Sequence, residues 1–472
     1  MRPRLRRWAS VSRSSHEPCL AFSGLSEGMR FAVSSRTMRP IRKIVVLGAN
    51  GAMGSGSGAV FACAGIPTVF LARSLEKAEA GRTRAEQLAK GKVPPKSITC
   101  GTYDAHLAES VAEADLVFEA VAEDIETKRK VFKLIDDARA PGSIIATVSS
   151  GLSIAQMCEG RSEDFRKNFL GVHLFNPPTL ITGTEIIPHT ETDRAVVEQM
   201  RHVLEATFGR VVIECKDTPA FAGNRIGFKL LNEIAQLAEE HGVAYMDMLV
   251  GTHTGRALAP LATIDLVGWD VHKAIVDNLY ANTNDEAHAQ FVLPAYMARG
   301  IERGHLGRKT RDKGGFFRVD GKGADAKHFV LDPATGDYRP LAELQPAVPA
   351  FIEQMKASLK SGGPAEAFDI LCRAEGKDAA LLRRVMLGYI SYSLGRVGEV
   401  VAQARDVDRI MGFGFNWAPP SVLVDAIGAP RTIELLQREQ LPVPAVVAQA
   451  ASEGKPLFDE PSVDSGRFFV AA

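Results

Sequence analysis

Between Ile41 and Val148 the apolar residues arrive in short bursts, with amphipathic stretches between them. Ile41–Leu47 is one such burst and predicts a strand running into Gly48-Ala-Asn-Gly51-Ala-Met53-Gly54. Small residues from Ser55 to Ala64 predict a helix that can pack closely on a sheet. Thr68–Ala72 predicts a second strand, and Leu75 to about Lys90 a charged helix. Asp115–Val121 and Ser143–Val148 predict later strands, with a helix over Lys128–Asp137 between them. Strands alternating with helices imply a parallel, doubly wound α/β sheet.

After Cys215–Pro219 the pattern changes to long amphipathic helices. One is expected from about Ala222 to His241, with Leu230, Leu231, Ile234 and Leu237 at helical spacing. Two later stretches then match each other. Asp247, Gly251, Pro260, Asp265 and Gly268 recur in spacing as Asp408, Gly412, Pro420, Asp425 and Gly428. The Asp-to-Gly step is four in each copy, Pro-to-Asp is five, and the last Asp-to-Gly is three. The duplication predicts two copies of one helical unit, and its aspartates read as helix caps rather than catalytic acids. Between the copies, Asp332–Asp337 predicts a hairpin turn.

A chain of 472 residues allows two to four domains. Its 46% hydrophobic and 24% charged content is ordinary for a soluble globular protein. No run approaches the ~18 apolar residues of a membrane span. The six cysteines are scattered, without CxxC or Cys/His spacing. They are expected to be free thiols in a reducing compartment such as the cytoplasm, with no metal site. The zero net charge hides an asymmetry: residues 1–43 hold ten basic and two acidic residues, leaving 46 basic against 54 acidic in the remainder. That mildly acidic body gives no support for a nucleic-acid partner. The basic, serine-rich head has the composition of a transit peptide, which would make the mitochondrial matrix the alternative address. It equally suits an upstream start before Met38. Either way, residues 1–40 are expected to be an unstructured basic extension.

Two segments carry candidate chemistry. A glycine loop between a first strand and a first helix sets backbone N–H groups against a pyrophosphate. Its spacing is GxxGxxG (Gly48, Gly51, Gly54), one residue longer than usual in the first step. Where an acid would hold the ribose 2′-hydroxyl the chain has Ala72-Arg73-Ser74. Those residues suit a 2′-phosphate, or simply a solvated arginine, so NADP stays open beside NAD. The second segment runs from His173 to Glu185. Asn176-Pro177-Pro178 breaks regular structure after the histidine, and Thr184–Ile187 reads as a short strand. The chain can then turn back and pair the imidazole, a proton carrier near neutrality, with the carboxylate. The competing reading is a core histidine beside an unrelated surface glutamate.

Taken together these residues resemble the L-3-hydroxyacyl-CoA dehydrogenase family, whose Rossmann domain is followed by a helical domain. The match runs in order over residues 41–320, and the duplicated unit extends it to about 430. That arrangement is similar to the dehydrogenase portion of multifunctional fatty-acid β-oxidation enzymes. The resemblance implies an NAD(P)-binding Rossmann domain over 41–216, a helical domain over 217–320, a connector with the hairpin over 321–375, and a second helical repeat over 376–472. It implies that His173, in the HxFNP block, is the catalytic base and Glu185 its paired acid, with Asn176 of the same block at the substrate. Ser150 matches the serine that hydrogen-bonds the substrate's 3-oxygen, and Asn224 the active-site asparagine. Glu123 and Lys128 match an acid and a lysine beside the nicotinamide ribose. Gly48, Gly51, Met53, Gly54 and Arg73 are expected to complete the cofactor site. Ser150 also reads as a helix N-cap, Asn224 as a loop holder, and Glu123 with Lys128 as a solvated helix pair. The implied activity is reversible oxidation of a (3S)-hydroxyacyl-CoA to the 3-oxoacyl-CoA with NAD. A dehydrogenase of a free hydroxy acid or sugar acid, and a non-catalytic dinucleotide-binding protein, are the alternatives. Acyl-CoA is the expected partner, and the duplicated region suits a homodimer or a pseudo-symmetric monomer.

Overall fold

The computed structural model describes residues 39–460 and 463–469. All but the last two residues of the basic head therefore lie outside the described residues. The amino-terminal half is built on β1 (Ile44–Leu47), β2 (Thr68–Ala72), β3 (Ile98–Thr102), β4 (Leu116–Glu119), β5 (Ile144–Thr147), β6 (Phe169–Leu174), β7 (Gly183–Pro188) and β8 (Val211–Glu214). They form one sheet in the order β3-β2-β1-β4-β5-β6-β7-β8. Neighbours are parallel except at β6–β7, which is antiparallel. Helices α1 (Ala52–Cys63), α2 (Leu75–Ala89), α3 (Tyr103–Ala112) and α4 (Ile125–Ala138) connect the first five strands. The strand order reverses between β1 and β4, which opens a crevice at the carboxyl ends of those strands. The four residues of β1 and the four of β4 are buried throughout, as expected of strands covered on both faces.

Three strands escape a reading of apolar bursts. Strand β3 is Ile-Thr-Cys-Gly-Thr, with only its isoleucine and glycine fully buried, because it lies at the sheet edge. Strand β8 closes the other edge. His173 lies on β6 itself, where all six residues are buried. It does not sit in an irregular segment ahead of a strand.

The helical half starts with α5 (Gly223–His241). The first unit has α6 (Val243–Leu249), α7 (Pro260–Val267) and α8 (Trp269–Asn282). After the three-stranded antiparallel sheet of β9 (Phe317–Asp320), β10 (Lys327–Leu331) and β11 (Tyr338–Pro340), α9 (Lys377–Gly395) leads into the second unit. That unit has α10 (Ala404–Ile410), α11 (Pro420–Ile427) and α12 (Ala429–Arg438). The expected turn over Asp332–Asp337 joins β10 to β11, with Asp332 N donating to Asp337 O at 2.9 Å.

The repeated aspartates divide into two roles. Asp247 caps α7 from thirteen residues away, accepting from Leu261 N at 2.8 Å and Ala262 N at 3.0 Å. Asp408 does the same for α11, accepting from Ser421 N at 3.0 Å. Asp265 and Asp425 are not caps. Asp265 accepts from the backbone of Phe316 and Phe317 (2.8 and 2.9 Å), and Asp425 from Leu457 and Phe458 (2.8 and 3.0 Å). Each holds an extended segment against its own unit.

The second unit also reaches the sheet. A Cβ on Gly183, at the start of β7, would lie 2.6 Å from Gly414 N and 2.7 Å from the Phe413 carbonyl carbon. Gly414 belongs to a π-helical turn, Met411–Phe415, that follows α10. Because backbone opposes the added methyl, Gly183→Ala is expected to destabilise the protein by roughly 1–3 kcal/mol, seen as a lower urea midpoint. Among the described residues no helix is long and apolar enough to cross a membrane.

Candidate active site

Strands β6 and β7 set His173 directly opposite Glu185. Cross-strand partners stand about 4.5–5.5 Å apart at Cβ, so the two side chains meet without help from a loop. His173 Nδ1 lies 2.6 Å from Glu185 Oε2, and both residues are buried. The rings of Phe175 and Phe221 pack on the imidazole at 4.7 and 5.9 Å between centroids. Nε2 makes no hydrogen bond among the described residues and is not sealed from solvent. A proton on Nδ1, held by the carboxylate, leaves the Nε2 lone pair free to accept another.

The other carboxylate oxygen is held still more closely. Glu185 Oε1 accepts from Gly223 N at 2.8 Å and Ala222 N at 3.1 Å, at the start of α5. Cys215 Sγ donates to the same oxygen at 3.4 Å. A helix amino terminus and converging donors favour a negative charge there. The preceding residues, Ala220 and Phe221, have φ of 57° and 55°, a strained left-handed turn for residues with a Cβ. That turn delivers two backbone N–H groups to one oxygen.

Hydrogen bonds link three of the other expected residues, Asn224, Ser150 and Glu123, to one another. Asn224 Nδ2 donates to Ser150 O at 3.1 Å, and Ser150 N donates to Glu123 Oε1 at 2.7 Å. Ser149 Oγ donates to the same glutamate oxygen at 2.6 Å. Asp217 ties the two segments together, accepting from Ile154 N and Ala155 N (both 2.9 Å) and from Ser153 Oγ (3.0 Å). Ser153, not Ser150, caps the short helix that follows. Asn176 is exposed beyond the end of β6 and makes no hydrogen bond among the described residues.

Glu123 and Lys128 are not a solvated pair. Lys128 is fully buried, with Nζ donating to both oxygens of Glu119 at 3.0 and 2.9 Å and lying 3.4 Å from Glu123. Glu119 also accepts from Thr147 Oγ1 and Val121 N, both at 2.6 Å. Removing one member of a buried pair strands the other charge. Lys128→Met is therefore expected to cost roughly 3–5 kcal/mol in thermal unfolding, and much less when combined with Glu119→Gln.

The glycine loop sits where the strand order reverses. Gly48 has φ of 75°, and a Cβ there would fall 2.2 Å from Ala120 O. A Cβ on Gly54 would fall 2.3 Å from Gly48 O. The chain itself demands both glycines. Gly51 differs: its φ is −73° and a Cβ would stand 3.3 Å from Gly48 O, which is tight but not prohibitive. Helix α1 begins at Ala52, three residues earlier than expected, and no side chain caps it. Its free first-turn N–H groups fit a pyrophosphate, and Gly51, whose own N–H donates to Gly48 O at 3.0 Å, adds no side chain in the way. Met53 is half-buried in that first turn, and Arg73 is exposed just beyond β2. Tyr103 completes the loop by accepting from Gly48 N at 2.8 Å.

Glu119, Tyr103, Cys215 and Asp217 were not singled out from the sequence. A charged residue closing an apolar strand was the available signal for Glu119. Asp217 lies in the Cys215–Pro219 break. The sequence offers no comparable signal for Tyr103 or Cys215.

Residues 43–218 match the model of the 3-hydroxyacyl-CoA dehydrogenase NAD binding domain, and residues 221–316 that of the C-terminal domain. A probable 3-hydroxyacyl-CoA dehydrogenase of Deinococcus radiodurans is 32% identical over 292 residues, covering 83% of that protein and 59% of this chain. The chain belongs to the 3-hydroxyacyl-CoA dehydrogenase family. The glycine-loop half is the family's NAD binding domain. A probable 3-hydroxyacyl-CoA dehydrogenase of Bacillus subtilis is 31% identical over 447 residues, or 89% of this chain. The chain spans 55% of the length of that relative. A 3-hydroxybutyryl-CoA dehydrogenase of Escherichia coli shares the fold, with a TM-score of 0.63 at 19% identity over 88% of this chain and 99% of its own.

Proposed function

We propose that the protein catalyses the reversible oxidation of a (3S)-hydroxyacyl-CoA to the 3-oxoacyl-CoA with NAD, in fatty-acid β-oxidation. The observation that carries this reading is the 2.6 Å contact between His173 Nδ1 and Glu185, with Nε2 left open. Membership of the family and the linked Asn224 and Ser150 support it. His173 Nε2 takes the proton of the 3-hydroxyl. Glu185 keeps the ring in the required tautomer and stabilises the imidazolium as it forms. Asn224 spends one N–H on Ser150 O and keeps the other for the 3-oxygen, beside the Ser150 hydroxyl. Such placed donors act as charge gathers on that oxygen. Acceptance of the hydride that leaves C3 is the chemistry the nicotinamide would supply when bound. In the reverse direction the imidazolium returns the proton.

Initial rates with acetoacetyl-CoA, a longer 3-oxoacyl-CoA and free acetoacetate test the reading, with NADH as reductant. The thioesters are expected to turn over and the free acid is not. Turnover of free acetoacetate alone would transfer the chemistry to hydroxy acids. NADH binding without any turnover would leave a binding protein.

A further inference from the structure

The adenosine end of the cofactor site carries the wrong sign of charge for an unmodified ribose. Strands β1 and β2 run parallel with Leu47 beside Leu71, and Ala49 N donates to Leu71 O at 3.3 Å. The residue just past the end of β2 therefore stands next to the glycine loop. In sheets of this kind an acid at that place holds the ribose 2′-hydroxyl, whereas an arginine accommodates a 2′-phosphate. Here the residue is Arg73, exposed to solvent.

Its surroundings strengthen the sign. Ser74 caps α2, accepting from Lys77 N at 3.4 Å, and its hydroxyl proton stays available to an anion. Lys77 follows one turn after Arg73 and is also exposed. The ion pairs within α2 join Arg82 to Glu79 and Glu86, and neither Arg73 nor Lys77 enters one among the described residues. Helix α2 is firmly docked on the loop: a Cβ on Gly81 would lie 2.4 Å from Ala49 O, and Arg84 donates to Asn50 O at 3.3 Å. Two acids lie close by, Glu76 in the first turn of α2 and Asp104 in that of α3, and neither occupies the position after β2. The acid nearest the loop on its other side, Glu119, is taken up by Lys128 and Thr147.

We propose that this site binds NADP(H) more tightly than NAD(H), with Arg73 as the principal contact to the 2′-phosphate, assisted by Lys77 and the Ser74 hydroxyl. The inference rests on the dinucleotide reading of the glycine loop and concerns only the ribose end. A charge-assisted contact to a dianion is strong, and its contribution falls as salt screens it.

Titration calorimetry on the full chain with adenosine 2′,5′-bisphosphate and with 5′-AMP reads the ribose end alone, and NADPH against NADH by fluorescence reads it in the whole cofactor. The 2′-phosphorylated member of each pair is expected to bind at least about fivefold more tightly at low salt. Arg73→Ala should erase most of that ratio, and Arg73→Asp should reverse it. A wild-type ratio below fivefold, or a ratio that Arg73→Ala leaves intact, overturns the proposal while the dehydrogenase reading stands. Failure of both NADH and NADPH to bind removes the dinucleotide site on which both depend.

Discussion

His173→Ala is expected to lower kcat by roughly 10²–10⁴-fold, the usual cost of losing a positioned general base. NADH affinity should be retained. The residue lies on β6, whereas the glycine loop follows β1, with β4 and β5 between them. The change also removes a buried ring between Phe175 and Phe221, so some stability is lost with it. Circular dichroism and an NADH titration separate that loss from the chemical one. A variant that binds NADH and still turns over within tenfold of the wild type would rule His173 out as the base.

Glu185→Gln should cost a comparable factor by a different route. The glutamine is nearly the same shape, and its carbonyl oxygen is drawn to Ala222 N and Gly223 N, where only an acceptor fits. Its NH₂ group then faces His173 Nδ1 and donates to it. Nδ1 must become the acceptor, so the ring proton moves to Nε2, and the lone pair needed for proton removal is gone. Turnover is expected to fall by roughly 10²–10⁴-fold, as when another histidine is forced into the wrong tautomer. Nitrogen-15 NMR of the histidine ring would show the exchanged tautomer directly. Unchanged turnover would mean that the carboxylate only fills space.

The two variants separate the groups of the site. If both lose turnover while Asn224→Ala loses less, proton transfer outweighs oxygen binding. Glu185 is also where three parts of the chain converge: β7 carries it, the strained turn at Ala220 and Phe221 supplies its donors, and Cys215 ends the approach. Those two strained residues persist because the carboxylate repays the turn with hydrogen bonds it would otherwise lack.

Much of this protein is written locally. Bursts of apolar residues between Ile41 and Val148 predict β1, β2, β4 and β5, because a strand buried on both faces must be apolar along its whole length. The shared steps of four, five and three residues in the stretches beginning at Asp247 and Asp408 predict a repeated helical unit. The run from His173 to Glu185 predicts a turn back that pairs base with acid. These features depend on near neighbours, and near neighbours are what sequence order records. The tertiary structure decided the rest. It put His173 on a strand, because β6 acquires its identity from β5 and β7 on either side. It made Lys128, expected beside the nicotinamide ribose or in a solvated helix pair, the buried partner of Glu119, and it made Asp265 and Asp425 holders of segments more than thirty residues away. It brought Cys215, Ala222 and Gly223 to one oxygen of Glu185. A burial energy or a hydrogen bond between distant residues exists only once the chain has closed, and periodicity along the sequence carries no trace of it.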